Sequence, residues 1–78
     1  MAVFQFRARN AKTGAGIAAE IILGGERRGS TPKEKDKYLL VETKSSGTFS
    51  WSANYGGKRL DSGSSSGGKI EILYEPES

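Results

Sequence analysis

The sequence predicts an all-β fold, a small antiparallel β-sandwich of five or six strands, with a small β-barrel as the alternative. Three observations lead to this prediction. Short segments alternate apolar and polar residues, glycine-rich turns separate these segments, and no segment shows a clear helical pattern. The chain of 78 residues is expected to form one domain with a thin core, because a chain this short buries only roughly 60–65% of its unfolded surface.

The clearest strand is predicted at residues 48–55, which read T-F-S-W-S-A-N-Y. Successive side chains of a strand point to opposite faces, so one face collects the less polar residues: Phe49, Trp51, Ala53 and Tyr55. A large aromatic side chain buries ~150–250 Å². This face, which carries the only tryptophan of the chain, is therefore expected at the core.

The remaining strands follow from the same alternation. They are expected at residues 3–9, 17–23, 38–43, 58–61 and 69–74. Residues 17–23 also fit a short helix, but the flanking glycines and the short length favour a strand. The predicted core consists of inward-facing residues: Phe4, Phe6, Ile17, Ile21, Leu23, Leu40, Phe49, Trp51, Tyr55, Ile70 and Ile72.

Two polar segments are predicted to be mobile loops. Residues 24–37 contain no apolar side chain, and loops of this length in compact domains are usually functional or disordered. Residues 61–68 are rich in serine and glycine, a composition typical of flexible segments. The C-terminal residues 75–78 are expected to fray.

The connections predict how the strands pair. The short connection 44–47 predicts that the strand before it and the strand after it form an antiparallel hairpin. Residues 3–9 and 69–74 are predicted edge strands. Because a free edge is a template for pairing with another chain, self-association through an edge strand is one expected kind of contact.

If the six strands alternate in direction, the loops divide between two ends of the domain. Loop 24–37 and turn 56–57 are then expected at one end. Loops 10–16, 44–47 and 61–68 are expected at the other end. This arrangement predicts a basic pole at the first end.

That pole defines the candidate binding residues, which are Arg27, Arg28, Lys33, Lys35, Lys37, Lys58 and Arg59. The chain has a formal net charge of +3 and a pI near 9.4. Residues 1–37 hold eight of its twelve Lys and Arg residues. Phosphate contacts at such a pole are nonspecific and salt-sensitive, and the alternating signs of residues 33–37 favour an ordinary solvated loop.

The amino-acid composition argues against several classes of function. The chain has no cysteine and no histidine, so it lacks disulfides, the usual zinc, haem and iron–sulfur ligands, and the commonest catalytic base and thiol nucleophile. The acidic residues Glu20, Glu42, Asp61 and Glu71 show no spacing that forces two together. We therefore expect no enzyme activity, no metal site and no cofactor.

Residues 63–69 nearly match the phosphate-binding loop G-x-x-x-x-G-K-[ST]. That loop needs Ser or Thr after the lysine and a helix N-terminus that faces the phosphate. Here Ile70 follows Lys69 and a strand is predicted instead. A flexible connection is the favoured interpretation.

Two parts of the sequence resemble a known family. Residues 13–17, T-G-A-G-I, lead into A-E-I-I-L at 19–23, and S-G-T-F follows at 46–49. These segments resemble carboxypeptidase-regulatory-like domains, and the similarity spans roughly residues 3–55. The resemblance implies a transthyretin-like β-sandwich and a non-catalytic role as an accessory module in bacterial surface and envelope proteins. The longer, charged segment 24–37 and the lack of a Tyr-x-Leu ending after Phe49 depart from the family pattern.

The leading functional prediction is a non-enzymatic binding or structural module that acts through protein–protein contact, with loop 24–37 as the recognition element. The alternative is a polyanion or nucleic-acid binder that uses the basic pole. No apolar run approaches ~18 residues, so membrane insertion is not expected. The compartment stays open: cytoplasmic for a full-length protein, and envelope or secreted for a domain of a longer one.

Overall fold

Alternation of apolar and polar residues produces strands along most of the chain. The computed structural model describes residues 1–34 and 36–75. Their strands are β1 Ala2–Asn10, β2 Glu20–Leu23, β3 Glu26–Ser30, β4 Leu39–Thr43, β5 Phe49–Tyr55, β6 Lys58–Ser65 and β7 Gly68–Tyr74. A three-stranded sheet has the order β4-β1-β7, and a four-stranded sheet has the order β3-β2-β5-β6. The predicted all-β sandwich is confirmed.

Strand β3 lies inside the segment predicted to be one long loop. Gly24 and Gly25 have φ angles of 61° and 84°, as the type I′ turn of a two-residue hairpin requires. The chain therefore reverses after β2, and β3 pairs antiparallel with it from Leu23↔Glu26 to Glu20↔Ser30. The prediction of an uninterrupted loop at 24–37 is wrong, because an edge strand pairs through its backbone and needs no apolar side chain.

With β3 included, strand direction alternates along all seven strands. Four of the five paired neighbours are antiparallel, and β1 and β7 are parallel. A parallel pair arises here because β1 and β7 are both odd-numbered in an alternating series. The predicted count of five or six strands is thus corrected to seven in the described part of the chain, with one parallel pair.

The predicted hairpin of residues 38–43 with 48–55 does not form. Strand β4 pairs with β1, whereas β5 pairs with β2 and β6, so the connection 44–48 crosses from one sheet to the other. Thr43 is buried at this crossing, and its hydroxyl donates a hydrogen bond of 2.7 Å to the Ser45 carbonyl oxygen. Pairing with β1 also places Val41 beside Phe4 in the core.

The position of β1 in its sheet and the length of β6 both differ from the prediction. Residues 3–9 lie in β1, which is a central strand between β4 and β7 and not an edge. Strand β6 extends to Ser65, so the predicted loop 61–68 is reduced to Ser66 and Gly67 between two strands. Strand β7 is an edge strand, as predicted for residues 69–74.

The core joins β1 to β5 across the sandwich. Phe4 and Phe6 have no exposed surface, and they contact the rings of Phe49 and Trp51 with centroid distances of 5.9 Å and 6.1 Å. The Trp51 ring in turn lies over Gly63 of β6, where an added Cβ would stand 3.1 Å from it.

Most of the predicted core is buried or packs against the buried cluster. Two predicted members, Leu40 and Tyr55, are 57% and 37% exposed. Leu40 follows the alternation of β4, which places it on the outer face opposite Val41. Tyr55 is the last residue of β5, where the opposite sheet covers the strand less completely. Both predictions of burial are therefore wrong.

Thr31 anchors the segment that follows β3. Its backbone N–H donates to Ala19 O at 2.8 Å, and its hydroxyl accepts from Ala19 N at 2.8 Å and donates to Ile17 O at 2.7 Å. Thr31 is only 2% exposed and Ala19 is fully buried. Because buried N–H groups are costly without an acceptor, this hydroxyl fixes residues 17–19 against the chain after β3.

We expect Thr31→Val to lower the free energy of unfolding by about 1–3 kcal/mol, because the nearly isosteric change leaves the buried Ala19 N–H without an acceptor. Urea unfolding followed by tryptophan fluorescence measures this loss. Thr48→Val is the matched control, since Thr48 is exposed. Equal stability of the two variants would contradict the role of Thr31.

Candidate functional site

The candidate binding residues do not form a single basic pole. Arg27 and Arg28 lie on β3, where Arg27 pairs with Glu20 at 3.1 Å and Arg28 pairs with Glu26 at 3.3 Å. These acidic partners offset the charge of both arginines.

The lysines after β3 form a second group. Lys37 pairs with Glu34 at 2.9 Å, and this hydrogen bond raises the pKa of Lys37. Lys33 is exposed, and Lys35 lies outside the described residues. The backbone oxygen of Lys33 would stand 2.2 Å from a Cβ added at Gly16. Loop 10–16 is therefore at the same end as residues 31–34, so the prediction that they lie at opposite ends is wrong.

Lys58 and Arg59 lie at the start of β6, directly after the turn 56–57. Among the described residues, neither one forms a salt bridge. They line a cleft of about 620 Å³ between residues 58–61 of β6 and residues 73–75 of β7. We call it the β6–β7 cleft. It is a natural consequence of the fold, because β6 and β7 belong to different sheets and are joined only at their far ends.

Two tyrosines from opposite sheets meet in the β6–β7 cleft. The rings of Tyr55 and Tyr74 have a centroid distance of 5.0 Å and an interplanar angle of 60°. Leu73, on the β7 side, is 47% exposed. This open cleft therefore offers a ligand two aromatic side chains together with several charged groups.

The charges of the cleft differ between its walls. Lys58 and Arg59 make the β6 wall positive, and Glu75 belongs to the β7 wall. The Asp61 carboxylate accepts a hydrogen bond of 2.8 Å from the backbone N–H of Ser62. This set of groups can bind a ligand by contact and charge.

Sequence reasoning found Lys58 and Arg59 but missed the residues that make their surroundings a cleft. Tyr55 is a member of the predicted core, and Leu73 is not among the predicted binding residues. The sequence does indicate that Tyr55 is exposed. Tyr55 directly precedes the turn Gly56-Gly57, and a residue at the end of a strand is covered by fewer neighbours. The residues on the opposite wall, Tyr74 and Glu75, are placed there because β7 pairs with β1, which is distant in sequence.

A second cluster covers the outer face of the three-stranded sheet. Glu71 of β7 accepts hydrogen bonds from Arg7 and forms an ion pair with Arg9 at 2.7 Å. The Tyr38 ring lies against Arg7 and Lys69, at 4.8 Å and 5.3 Å from its centroid. These contacts lie across the parallel register Arg7↔Glu71 of β1 and β7, so the cluster holds β7 beside β1.

The electrostatics of this cluster favour the charged state of both partners. The hydrogen bond from Arg7 is the main reason that the pKa of Glu71 is lowered, and partial burial opposes this shift. The same hydrogen bond raises the pKa of Arg7. The outer face of this sheet therefore carries an ion-pair network of Arg7, Arg9 and Glu71.

The described residues lack both a metal-binding cluster and a membrane-spanning helix. Residues 1–34 and 36–75 contain no group of three or more acidic, histidine or cysteine side chains arranged to hold a metal ion. The same part of the chain has no helix long and apolar enough to cross a membrane.

No family model, curated protein or solved structure matches this chain. The resemblance to carboxypeptidase-regulatory-like domains consequently stays a prediction.

We expect acid to weaken the protein partly through Glu71. The stabilisation from a lowered carboxyl pKa is present above the unfolded value of about 4.3 and is lost as the pH falls through the lower folded value. Glu71→Gln should therefore reduce the loss of unfolding free energy between about pH 6 and pH 3.

Urea unfolding at a series of pH values checks this prediction. Glu42→Gln is the control, because Glu42 is exposed on the same face and forms no ion pair in the described part of the chain. An acid limb with the same slope in wild type and Glu71→Gln would show that the Arg7–Glu71 contact contributes nothing.

Proposed function

We propose that this chain is a non-enzymatic binding module that holds a segment of a partner protein in the β6–β7 cleft. The observation that carries the proposal is the composition of that cleft. It combines the paired rings of Tyr55 and Tyr74 with exposed Leu73 and two cations, Lys58 and Arg59, that form no salt bridge in the described part.

Side chains of these types suit a protein interface. Tyrosine and arginine are enriched among the residues whose truncation costs most binding free energy. Tyr55 and Leu73 offer apolar surface that water now covers, and burying such surface is favourable by roughly 25 cal/mol per Å². A partner that contacts these side chains gains this burial together with charge contacts at Lys58 and Arg59.

The proposal moves the recognition element away from residues 24–37. Part of that segment is the edge strand β3, and its two arginines are already paired with Glu20 and Glu26. A partner bound there competes with those ion pairs. A partner that binds Lys58 and Arg59 in the β6–β7 cleft displaces no ion pair of the described residues.

The placement of the carboxylates supports a role without catalysis. Glu20 and Glu71 each form an ion pair with arginine, and Asp61 accepts the Ser62 N–H. Glu42, on the outer face of the three-stranded sheet, forms no ion pair with any residue that the structure describes.

Peptide display on the full chain tests the proposal. We expect random 12-residue peptides selected on wild-type protein to lose at least about tenfold affinity for the double variant Lys58→Glu/Arg59→Glu, as loss of central interface contacts does. Lys44→Glu, a charge reversal at an exposed residue outside the cleft, should leave affinity within about twofold. Peptides that bind both variants as well as wild type would place the binding surface elsewhere.

Polyanion binding is the competing function, and we expect it to be weak. The cations lie on three different segments of the chain, and at least Arg27, Arg28 and Lys37 have acidic partners. Binding of single-stranded and double-stranded DNA should be undetectable at about 10 µM protein even at ~50 mM salt, where phosphate contacts are strong. A titration followed by fluorescence anisotropy measures this, and tight, salt-sensitive binding would favour the polyanion function instead.

A further inference from the structure

We infer that the β6–β7 cleft takes its ligand as an extended strand, added to the free edge of β6, with an acidic side chain beside Lys58 and Arg59. This inference rests on the proposed function. It adds the chemical form of the ligand, a peptide recognised through its backbone, and the position of its charge.

The first argument is that β6 has an unpaired edge. It is the last strand of the four-stranded sheet and pairs only with β5. Its residues 62–64 are exposed. An exposed strand edge presents N–H and C=O groups to any extended chain that can lie beside it, and such strand addition is a common mode of peptide recognition.

The second argument comes from Ser62, whose N–H shows which groups face that edge. This N–H donates to the Asp61 carboxylate at 2.8 Å, so it points away from β5. In an antiparallel ladder, alternate residues direct both backbone groups to the same side. Ser64 therefore presents its backbone groups to the same free edge.

The Asp61 carboxylate occupies the position that a ligand carbonyl oxygen would take. A side-chain acceptor of this kind blunts the edge in the free protein. It is also easily exchanged, because an exposed hydrogen bond contributes little net free energy. An incoming peptide strand replaces one acceptor of the Ser62 N–H by another.

The third argument is the charge at the start of β6. A β-bulge between Ala53 and Asn54 of β5 breaks the register just before Asp61, and β-bulges commonly end regular pairing. A ligand strand paired along residues 61–64 thus ends close to Lys58 and Arg59. Because both cations lack a salt bridge in the described part of the chain, an acidic ligand residue fits there.

The aromatic pair completes the expected ligand pattern. Every second side chain of a strand faces the same side. Asp61 lines the cleft and residues 62–64 do not, so the part of the ligand that extends past Asp61 is the part that enters the cleft. A ligand residue that faces the Tyr55 and Tyr74 rings there should be apolar. The ligand is therefore an extended segment whose end in the cleft carries an apolar residue and an acid.

Amide hydrogen exchange on ¹⁵N-labelled full chain tests this inference, with the tightest 12-residue peptide from the display selection as the probe. At saturation we expect exchange of the Ser62 amide to slow by at least about tenfold, because it gains an acceptor within a ladder. An unchanged Ser62 rate with the peptide bound would overturn strand addition and leave the proposed function standing. A selection that yields no peptide dependent on the cleft would overturn both.

A scan of the same peptide by single N-methylation gives an independent readout. Strand addition requires that affinity drop by about tenfold or more at alternate positions, since only every second peptide N–H faces β6. Losses without this period of two would show docking through side chains alone and contradict the inference.

The variant Asp61→Ala tests whether the free edge of β6 binds the peptide. Removing the carboxylate frees the Ser62 N–H and removes a negative charge near the acidic end of the ligand. We expect the affinity of the peptide to rise by about two- to tenfold, whereas Asp36→Ala, a change at an exposed aspartate outside the cleft, should leave it unchanged. Weaker binding by Asp61→Ala would overturn the inference.

Discussion

Four aromatic side chains hold the two sheets together, and the rest of the structure depends on this contact. Phe4 and Phe6 of β1 meet Phe49 and Trp51 of β5, each pair in a tilted or edge-to-face arrangement. Such pairs add about 0.5–1.5 kcal/mol beyond the surface that they bury. Phe4 and Phe6 are fully buried, as are Ile21, Leu23 and Ile72. Phe49 and Trp51 are half-buried and pack against this cluster.

The position of these rings explains where the sandwich is open. Both β1 and β5 are inner strands of their sheets, so the aromatic contact joins the middles of the sheets and leaves the edges with less support. Strands β6 and β7 are joined by Ser66 and Gly67 at one end and separate toward the other, where Tyr55 and Tyr74 meet. The β6–β7 cleft is thus a product of the same packing that stabilises the core.

Strand β1 contributes to the core with one face and holds β7, a wall of the β6–β7 cleft, with the other. Its inner face buries Phe4, Phe6 and Ala8, while its outer face directs Arg7 and Arg9 to Glu71 of β7. The pair of β1 and β7 is parallel, and this ion-pair network adds side-chain contacts to its backbone hydrogen bonds. Because β7 forms one wall of the cleft, contacts on the far side of the three-stranded sheet position the proposed binding site.

The sequence allowed the strands with apolar side chains to be predicted, but not their neighbours in the sheets. Alternation located β1, β5 and β7 within one or two residues. Strand β3 was missed because it buries no apolar side chain, although Gly24-Gly25 carries the same turn signature as Gly56-Gly57. That omission reversed the expected direction of every later strand, which is why β1 and β7 were not expected to be parallel.

The candidate site was predictable only in part for the same reason. Lys58 and Arg59 stood out by charge and position near a turn. Their surroundings depend on Tyr74 and Glu75 of β7, and local sequence patterns do not report which distant strands become neighbours. Burial at strand ends is similarly hard to predict, as Tyr55 shows, because it depends on how far the opposite sheet extends.

In the free protein, β6 and β7 stay unpaired beside the contact of Tyr55 with Tyr74. Nuclear Overhauser effects in the ¹⁵N,¹³C-labelled chain measure this arrangement. We expect cross-peaks between the Tyr55 and Tyr74 rings and between the Phe6 and Trp51 rings, with no backbone cross-peaks between residues 58–61 and 73–75. A ladder of backbone cross-peaks between those two segments would show that β6 and β7 are paired, and the cleft between them would not exist.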